Sequence, residues 1–173
     1  MATTKVLISA ADIRQRILAL AAEIERDYPR DEGIHLVAIL KGGFMFMADL
    51  VRAMSDRVTM DFMAVSSYGK GTTSSGQVRV LKDLDSNLEG RHVILVEDIV
   101  DTGLTLHYLQ ELIKARAPKS TKTACLLSKP SRRKVNVEVE YVGFTIEDHF
   151  VVGYGLDYDE KYRNLPFIAV LEQ

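Results

Sequence analysis

The sequence predicts an α/β fold built on a mostly parallel, twisted sheet flanked by helices, and three observations lead there. Short apolar runs such as Ile34–Leu40, Val93–Val96 and Thr123–Ser128 have the character of strands buried on both faces. Between them lie stretches with apolar residues at helical spacing. Strands that alternate with helices in this way favour parallel pairing with right-handed crossovers.

Taken in order, the chain begins with Ser9 and, three residues later, Asp12, which resemble a capping box and start a helix near Ala10. Ile13, Ile17, Leu20, Ala21 and Ile24 recur at helical spacing until Tyr28-Pro29 stops the pattern. Ile34–Leu40 is a buried strand, and Lys41-Gly42-Gly43 turns it into a second helix, Phe44 to about Met54. Val58, Met60 and Phe62 alternate with polar residues in a strand running to about Ser67. The segment from Tyr68 to Gly76 has linker composition, and inside a compact domain such a loop is usually a functional lid or disordered. Val78–Lys82 can return as a strand, which makes that loop the tip of a long hairpin. After the central strand, Leu106, Leu109, Leu112 and Ile113 mark a helix ending near Ala117-Pro118. Thr123–Ser128, Tyr141–Ile146, Val151–Tyr154 and Phe167–Leu171 complete the strands. The chain ends look more irregular, and the expectation is a small cap over the sheet. With no internal repeat and no long linker, residues 1–173 are expected to form one domain.

Composition narrows the function classes. The chain is 47% hydrophobic and 27% charged with a net charge of -2, which gives no reason to expect a nucleic-acid or membrane partner. Its single cysteine rules out an internal disulfide and fits a reducing cytosol. No apolar run approaches the ~20 residues of a membrane span, and the run after Lys5 is too short for a signal peptide. The expectation is a soluble cytoplasmic protein.

The chemistry concentrates between Val93 and Thr105. Glu97 and Asp98 follow the central strand, and Asp101-Thr102-Gly103-Leu104-Thr105 leads into a helix. The free N–H groups and the dipole of a helix N-terminus attract an anion such as phosphate, which glycine lets approach closely. Neither a triphosphate P-loop nor a dinucleotide fingerprint is present. Two carboxylates beside a phosphate would repel it unless something lies between them. Ribose hydroxyls can donate to carboxylates, and a hard cation such as Mg²⁺ can bridge acid and phosphate. Consecutive strand residues face opposite ways, so both acids serve one ligand only where the strand is ending. The pattern reads as a ribose-phosphate site, with or without a metal.

Val93 to Thr105 resembles the phosphoribosyl-diphosphate signature of type I phosphoribosyltransferases: aliphatics, two acids, two aliphatics, an acidic residue, Thr, Gly, any residue, Thr. With Asp at 101 it resembles the 6-oxopurine (hypoxanthine-guanine) branch. Further matches are Leu40-Lys41-Gly42-Gly43, Ser66-Ser67-Tyr68, Leu126–Lys129, Phe150–Tyr158 and Tyr162-Arg163. The resemblance implies the type I phosphoribosyltransferase fold and Mg²⁺-dependent transfer of phosphoribose from phosphoribosyl diphosphate to hypoxanthine or guanine.

It also implies roles. Glu97 and Asp98 hold the ribose hydroxyls and Mg²⁺, and Asp101 to Thr105, including Leu104, cradle the 5′-phosphate. Asp101 accepts the purine proton. Lys41, Gly42 and Gly43 form the diphosphate loop, preceded by a cis bond, and Arg163 adds a cation there. Lys129 donates to O6 of the base, Phe150 stacks on the purine, and the Val151 backbone reads its edge. Asp157 serves the exocyclic group and a second Mg²⁺, and Tyr68 belongs to the lid. A homodimer or homotetramer is implied too. Cys125 is expected to be a small buried residue, and Arg132-Arg133-Lys134 a solvated turn. The competing readings are a nucleic-acid-binding sensor of phosphoribosyl diphosphate and transfer to adenine or xanthine.

Overall fold

Capping chemistry fixes the first helix. Ser9 Oγ accepts the Asp12 N–H at 3.1 Å, and α1 (Ala10–Arg26) buries Ile13, Ile17, Leu20, Ala21 and Ile24, the stripe read from the sequence. The computed structural model describes residues 3–67 and 78–172, so Tyr68 and the predicted lid loop lie outside the described residues. The remaining elements are β1 (Thr3–Ile8), β2 (Ile34–Leu40), α2 (Phe44–Arg52), β3 (Val58–Ser67), β4 (Val78–Lys82), β5 (His92–Val100), α3 (Leu104–Lys114), β6 (Ser120–Ser128), β7 (Tyr141–Thr145), β8 (Val151–Val152) and β9 (Ile168–Glu172).

Six strands form the main sheet in the order β4-β3-β2-β5-β6-β7. β2 pairs in parallel with β3 and β5, β5 with β6, and β6 with β7. Only β4 is antiparallel, as the return strand of the expected hairpin. The central strands carry consecutive apolar residues, Leu36–Leu40 in β2 and Val93–Val96 in β5, because both faces are covered there. Leu36, Ala38, Ile94 and Val96 pack with α1 and α2, while Val37, Ile39, Val93 and Leu95 pack with Leu106, Leu109 and Ile113 of α3. Burying each such large side chain stabilises the fold by roughly 1.5–3 kcal/mol. Strand order reverses between β2 and β5, and the crevice beyond the carboxyl ends of the strands at such a switch point is where open α/β sheets bind ligands.

The cap is a three-stranded antiparallel sheet, β1-β9-β8, that joins the two ends of the chain. Its N-terminal strand pairs along β9 with one register shift between Val6 and Ile8, so the irregularity the sequence suggested is confined to a bulge at Leu7. Val6 and Leu7 are exposed, so no burial pattern marks them, and the strand's pairing partners, such as Ala169 opposite Val6, lie at the far end of the chain. β8 is shorter than expected because Gly153, Tyr154 and Gly155 take φ of 99°, 50° and 98° and turn the chain. Among the described residues no helix is long and apolar enough to cross a membrane.

Candidate active site

β5 does not stop at its acids, as the sequence suggested, but runs on to Val100. Glu97 pairs with Cys125 of β6 and Ile99 with Leu127, so the ladder holds the acids inside the strand. Glu97 and Asp98 therefore keep the alternation of the preceding residues and leave the strand on opposite faces. Glu97 lines a cavity at the start of α3, whereas Asp98 lies against the Gly42 turn, where a Cβ on Gly42 would overlap its carboxylate. Gly42 is thus required by close approach. Burial raises the Glu97 pKa well above the usual range, helped by the neighbouring Asp98 charge. Burial also pushes Asp98 up to about 6, opposed by backbone N–H groups and the Arg163 charge. Among the described residues no ion pair reaches either carboxylate.

The predicted phosphate cradle is a cavity of about 220 Å³ lined by Glu97, Asp101, Thr102, Gly103 and Thr105 among others. Gly103 caps α3 with φ 84°, a left-handed conformation that suits glycine, and no side chain caps the helix there. Thr102 Oγ1 accepts the Leu104 N–H at 3.3 Å, while first-turn N–H groups have no acceptor within the helix. An anion is the natural partner for this end of α3.

The base side is braced by residues expected to be a solvated turn. The Arg133 guanidinium donates to the carbonyls of Val100 (2.8 Å) and Asp101 (2.6 Å) and to Ser128 Oγ (2.8 Å). The Lys134 N–H donates to Thr102 O at 2.9 Å, and Arg132 Nε donates to Asp101 Oδ1 at 3.0 Å. Arg132 also reaches Asp148, whose other oxygen is 3.5 Å from Lys129 Nζ. Lys129, Asp148, Arg132 and Asp101 thus form a chain of alternating charge. Lys129 is only 7% exposed, which a snorkelling surface lysine would not be. Phe150, by contrast, is 50% exposed and presents an aromatic face, with Tyr158 edge-on at 5.7 Å. Val151 is buried and its backbone pairs with Val170.

The third group of residues converges from two loops. The Leu40-Lys41 bond is cis, as the resemblance implied. Lys41 Nζ donates to Glu160 Oε2 at 2.9 Å, and Arg163 Nη2 lies 3.2 Å from Glu160 Oε1 and 3.4 Å from Asp157 Oδ1. Lys41 and Arg163 hold the Glu160 pKa below the usual range. Arg163 Nη1 donates to Gly155 O at 2.8 Å.

These residues stand around one crevice at the carboxyl edge of the sheet: acids from β5, an anion cradle from α3, an aromatic face and a buried lysine on one side, two cations on the other. Among the described residues no cluster of three or more metal-ligating side chains is preformed, and Asp157 is engaged by Arg163 and the Glu160 N–H. Mg²⁺ keeps waters and substrate oxygens and needs only one or two protein carboxylates. Glu97, buried, and Asp98, half-buried, have no ion pair among the described residues, and each is a carboxylate of the kind that demand requires. Glu160, Arg132, Arg133 and Asp148 were missed from the sequence. The Arg132-Arg133 pair directly after β6 and Lys129 was a usable signal, whereas Glu160 is one acid among several in its loop.

Residues 9–159 match the family described as phosphoribosyl transferase domain. The chain is 51% identical over 168 residues to a hypoxanthine-guanine phosphoribosyltransferase of Bacillus subtilis, covering 97% of this chain and 93% of that protein. It is 48% identical to one of Aquifex aeolicus, covering 97% and 94%. A crystal structure of a hypoxanthine-guanine phosphoribosyltransferase from Bacillus anthracis, with a HEPES molecule in the active site, superposes with a TM-score of 0.93. It is 50% identical and covers 97% of this chain and 98% of that one.

Proposed function

The chain belongs to the phosphoribosyltransferase family, and from that premise we propose that it is a purine-salvage enzyme acting on hypoxanthine or guanine. It transfers the phosphoribosyl group of 5-phosphoribosyl 1-diphosphate to the base, giving IMP or GMP and diphosphate. The observation that carries the reading is the crevice itself, where a helix N-terminus for phosphate, buried acids for ribose and a buried lysine for the base lie together.

The purine stacks on Phe150 with its O6 against Lys129 and its edge against the Val151 backbone. A cation at O6 favours a 6-oxopurine over adenine, whose 6-amino group is a donor. The 5′-phosphate sits on the backbone of Thr102, Gly103, Leu104 and Thr105. Lys41, Gly42, Gly43 and Arg163 take the diphosphate, and Glu97 and Asp98 take the ribose hydroxyls. Nitrogen N9 attacks C1′ as the bond from C1′ to the diphosphate oxygen breaks, with inversion, and the proton the purine loses passes to Asp101.

Glu97, Asp98 and Asp157 would hold Mg²⁺, which bound with the substrate supplies charge neutralisation at the leaving diphosphate. Burial disfavours the ionised form of Glu97 and Asp98, and a cation beside them would favour it. We further infer one domain over residues 1–173, a cytoplasmic location, for which the unpaired Cys125 speaks, and a homodimer or homotetramer. Light scattering of the purified protein tests the last.

Incubating the protein with phosphoribosyl diphosphate, Mg²⁺ and one purine at a time tests the activity. Nucleotide should form with hypoxanthine or guanine and much more slowly with adenine. No turnover with any base, together with tight nucleic-acid binding, would overturn the reading.

A further inference from the structure

One carboxylate occupies both of the cations allotted to diphosphate. Glu160 Oε2 meets Lys41 Nζ at 2.9 Å and its Oε1 meets Arg163 Nη2 at 3.2 Å, so its two oxygens link the cations of the two loops. The backbone holds it there. Asp159, Glu160 and Tyr162 all have positive φ, at 52°, 63° and 77°, and the Glu160 N–H donates to Asp157 Oδ2 at 2.9 Å. Non-glycine residues seldom adopt that conformation, and a run of them marks a turn shaped for a purpose other than local comfort.

We propose that Glu160 is an internal stand-in for diphosphate, a displaceable anion that tunes how tightly the site holds phosphoribosyl diphosphate and how readily it releases diphosphate. The proposal rests on reading Lys41 and Arg163 as diphosphate ligands. The Lys41 and Glu160 side chains are 68% and 65% exposed, and exposed ion pairs are weak, so a multiply charged diphosphate can displace this one. Once displaced, the carboxylate stays tethered beside the site. It competes for the same cations when the product diphosphate begins to leave.

The test is Glu160→Gln, which keeps size and removes charge, measured by the inhibition constant of inorganic diphosphate and by KM for each substrate. The expected result is diphosphate binding and KM for phosphoribosyl diphosphate tightened by about threefold to tenfold, with KM for hypoxanthine unchanged. kcat falls if diphosphate release limits turnover. Raising ionic strength should shrink the difference between variant and parent, because the competition is electrostatic. Unchanged or weaker diphosphate binding in Glu160→Gln, while Lys41→Ala and Arg163→Ala bind diphosphate poorly, would overturn the stand-in role alone. Diphosphate binding that survives Lys41→Ala and Arg163→Ala would instead overturn the assignment of those cations, and the stand-in with it. A melting temperature for each variant separates these outcomes from misfolding.

Discussion

At the amino-terminal edge of the main sheet, Glu32 accepts from His92 at 2.5 Å and from Lys119 at 2.8 Å, and Tyr141 donates to Asp27 at 2.6 Å. His35 bonds Thr59, and burial holds its pKa down to about 4, so it stays neutral. Arg57 is spent on the carbonyls of Glu25, Pro29 and Glu32. At the carboxyl edge of the same strands, Glu97 is buried and Asp98 half-buried on opposite faces of β5, both with raised pKa values and no ion pair among the described residues. The amino-terminal edge matches its charges within the chain, whereas the carboxyl edge pairs its loop charges but leaves the two strand acids for something that binds. Buried acids without partners lower stability, and functional sites are where proteins tolerate that.

The sharpest way to break this contrast is Asp101→Ala. Loss of the proton acceptor should lower kcat by about 10²–10⁴-fold while KM for phosphoribosyl diphosphate moves only a few-fold, read from steady-state kinetics. Equal losses in both would make Asp101 a binding residue. Next in size is Lys129→Ala. Removing a charged hydrogen bond to O6 should reduce kcat/KM for hypoxanthine by about 10–100-fold and erase the preference over adenine. An unchanged preference would take Lys129 out of base selection.

Asp98→Asn separates stability from function. Its folded pKa of about 6 lies above the unfolded value near 3.8, so the folded state binds the extra proton. The stability linked to that proton is fully present below about pH 4 and is lost as pH rises through about 6. In the ligand-free protein Asp98→Asn should therefore be more stable than the parent at pH 7.5 by about 1–3 kcal/mol, with the gain vanishing near pH 4. Urea unfolding at both pH values reads this, and a loss of stability at pH 7.5 would show that Asp98 is already well paired. The smallest expected effect lies at the opposite edge. Tyr141→Phe should cost about 0.5–1.5 kcal/mol of stability and leave kcat alone.

How much of this was legible in the sequence follows the same division. The apolar runs of β2, β5 and β6 and the stripe of α1 report local burial, so the parallel sheet and its flanking helices could be read directly. The turn into α3 was legible because Thr102, Gly103 and the helix are contiguous. β1 was not, because its pairing with β9 is a contact between chain ends that leaves no periodicity in the exposed Val6 and Leu7. Glu97 and Asp98 were recognised, but the sequence could not tell that β5 continues past them, since that depends on the β6 ladder. Phe150 on local residue type alone belongs in a core, and only the turn at Gly153 and the small sheet leave it half exposed. Arg132 and Arg133 looked like surface charge because their acceptors, the Asp101 carboxylate and the backbone of Val100 and Asp101, lie some thirty residues away.

The contrast between the two edges comes down to one side-by-side assay. The parent protein, Asp101→Asn and Tyr141→Phe, each shown to be folded, are given phosphoribosyl diphosphate, Mg²⁺ and hypoxanthine, and IMP formation is followed. The parent and Tyr141→Phe should turn over at the same rate, with Asp101→Asn slower by at least about a hundredfold. Tyr141→Phe falling as far as Asp101→Asn, or Asp101→Asn matching the parent, would contradict the assignment of chemistry to the carboxyl edge.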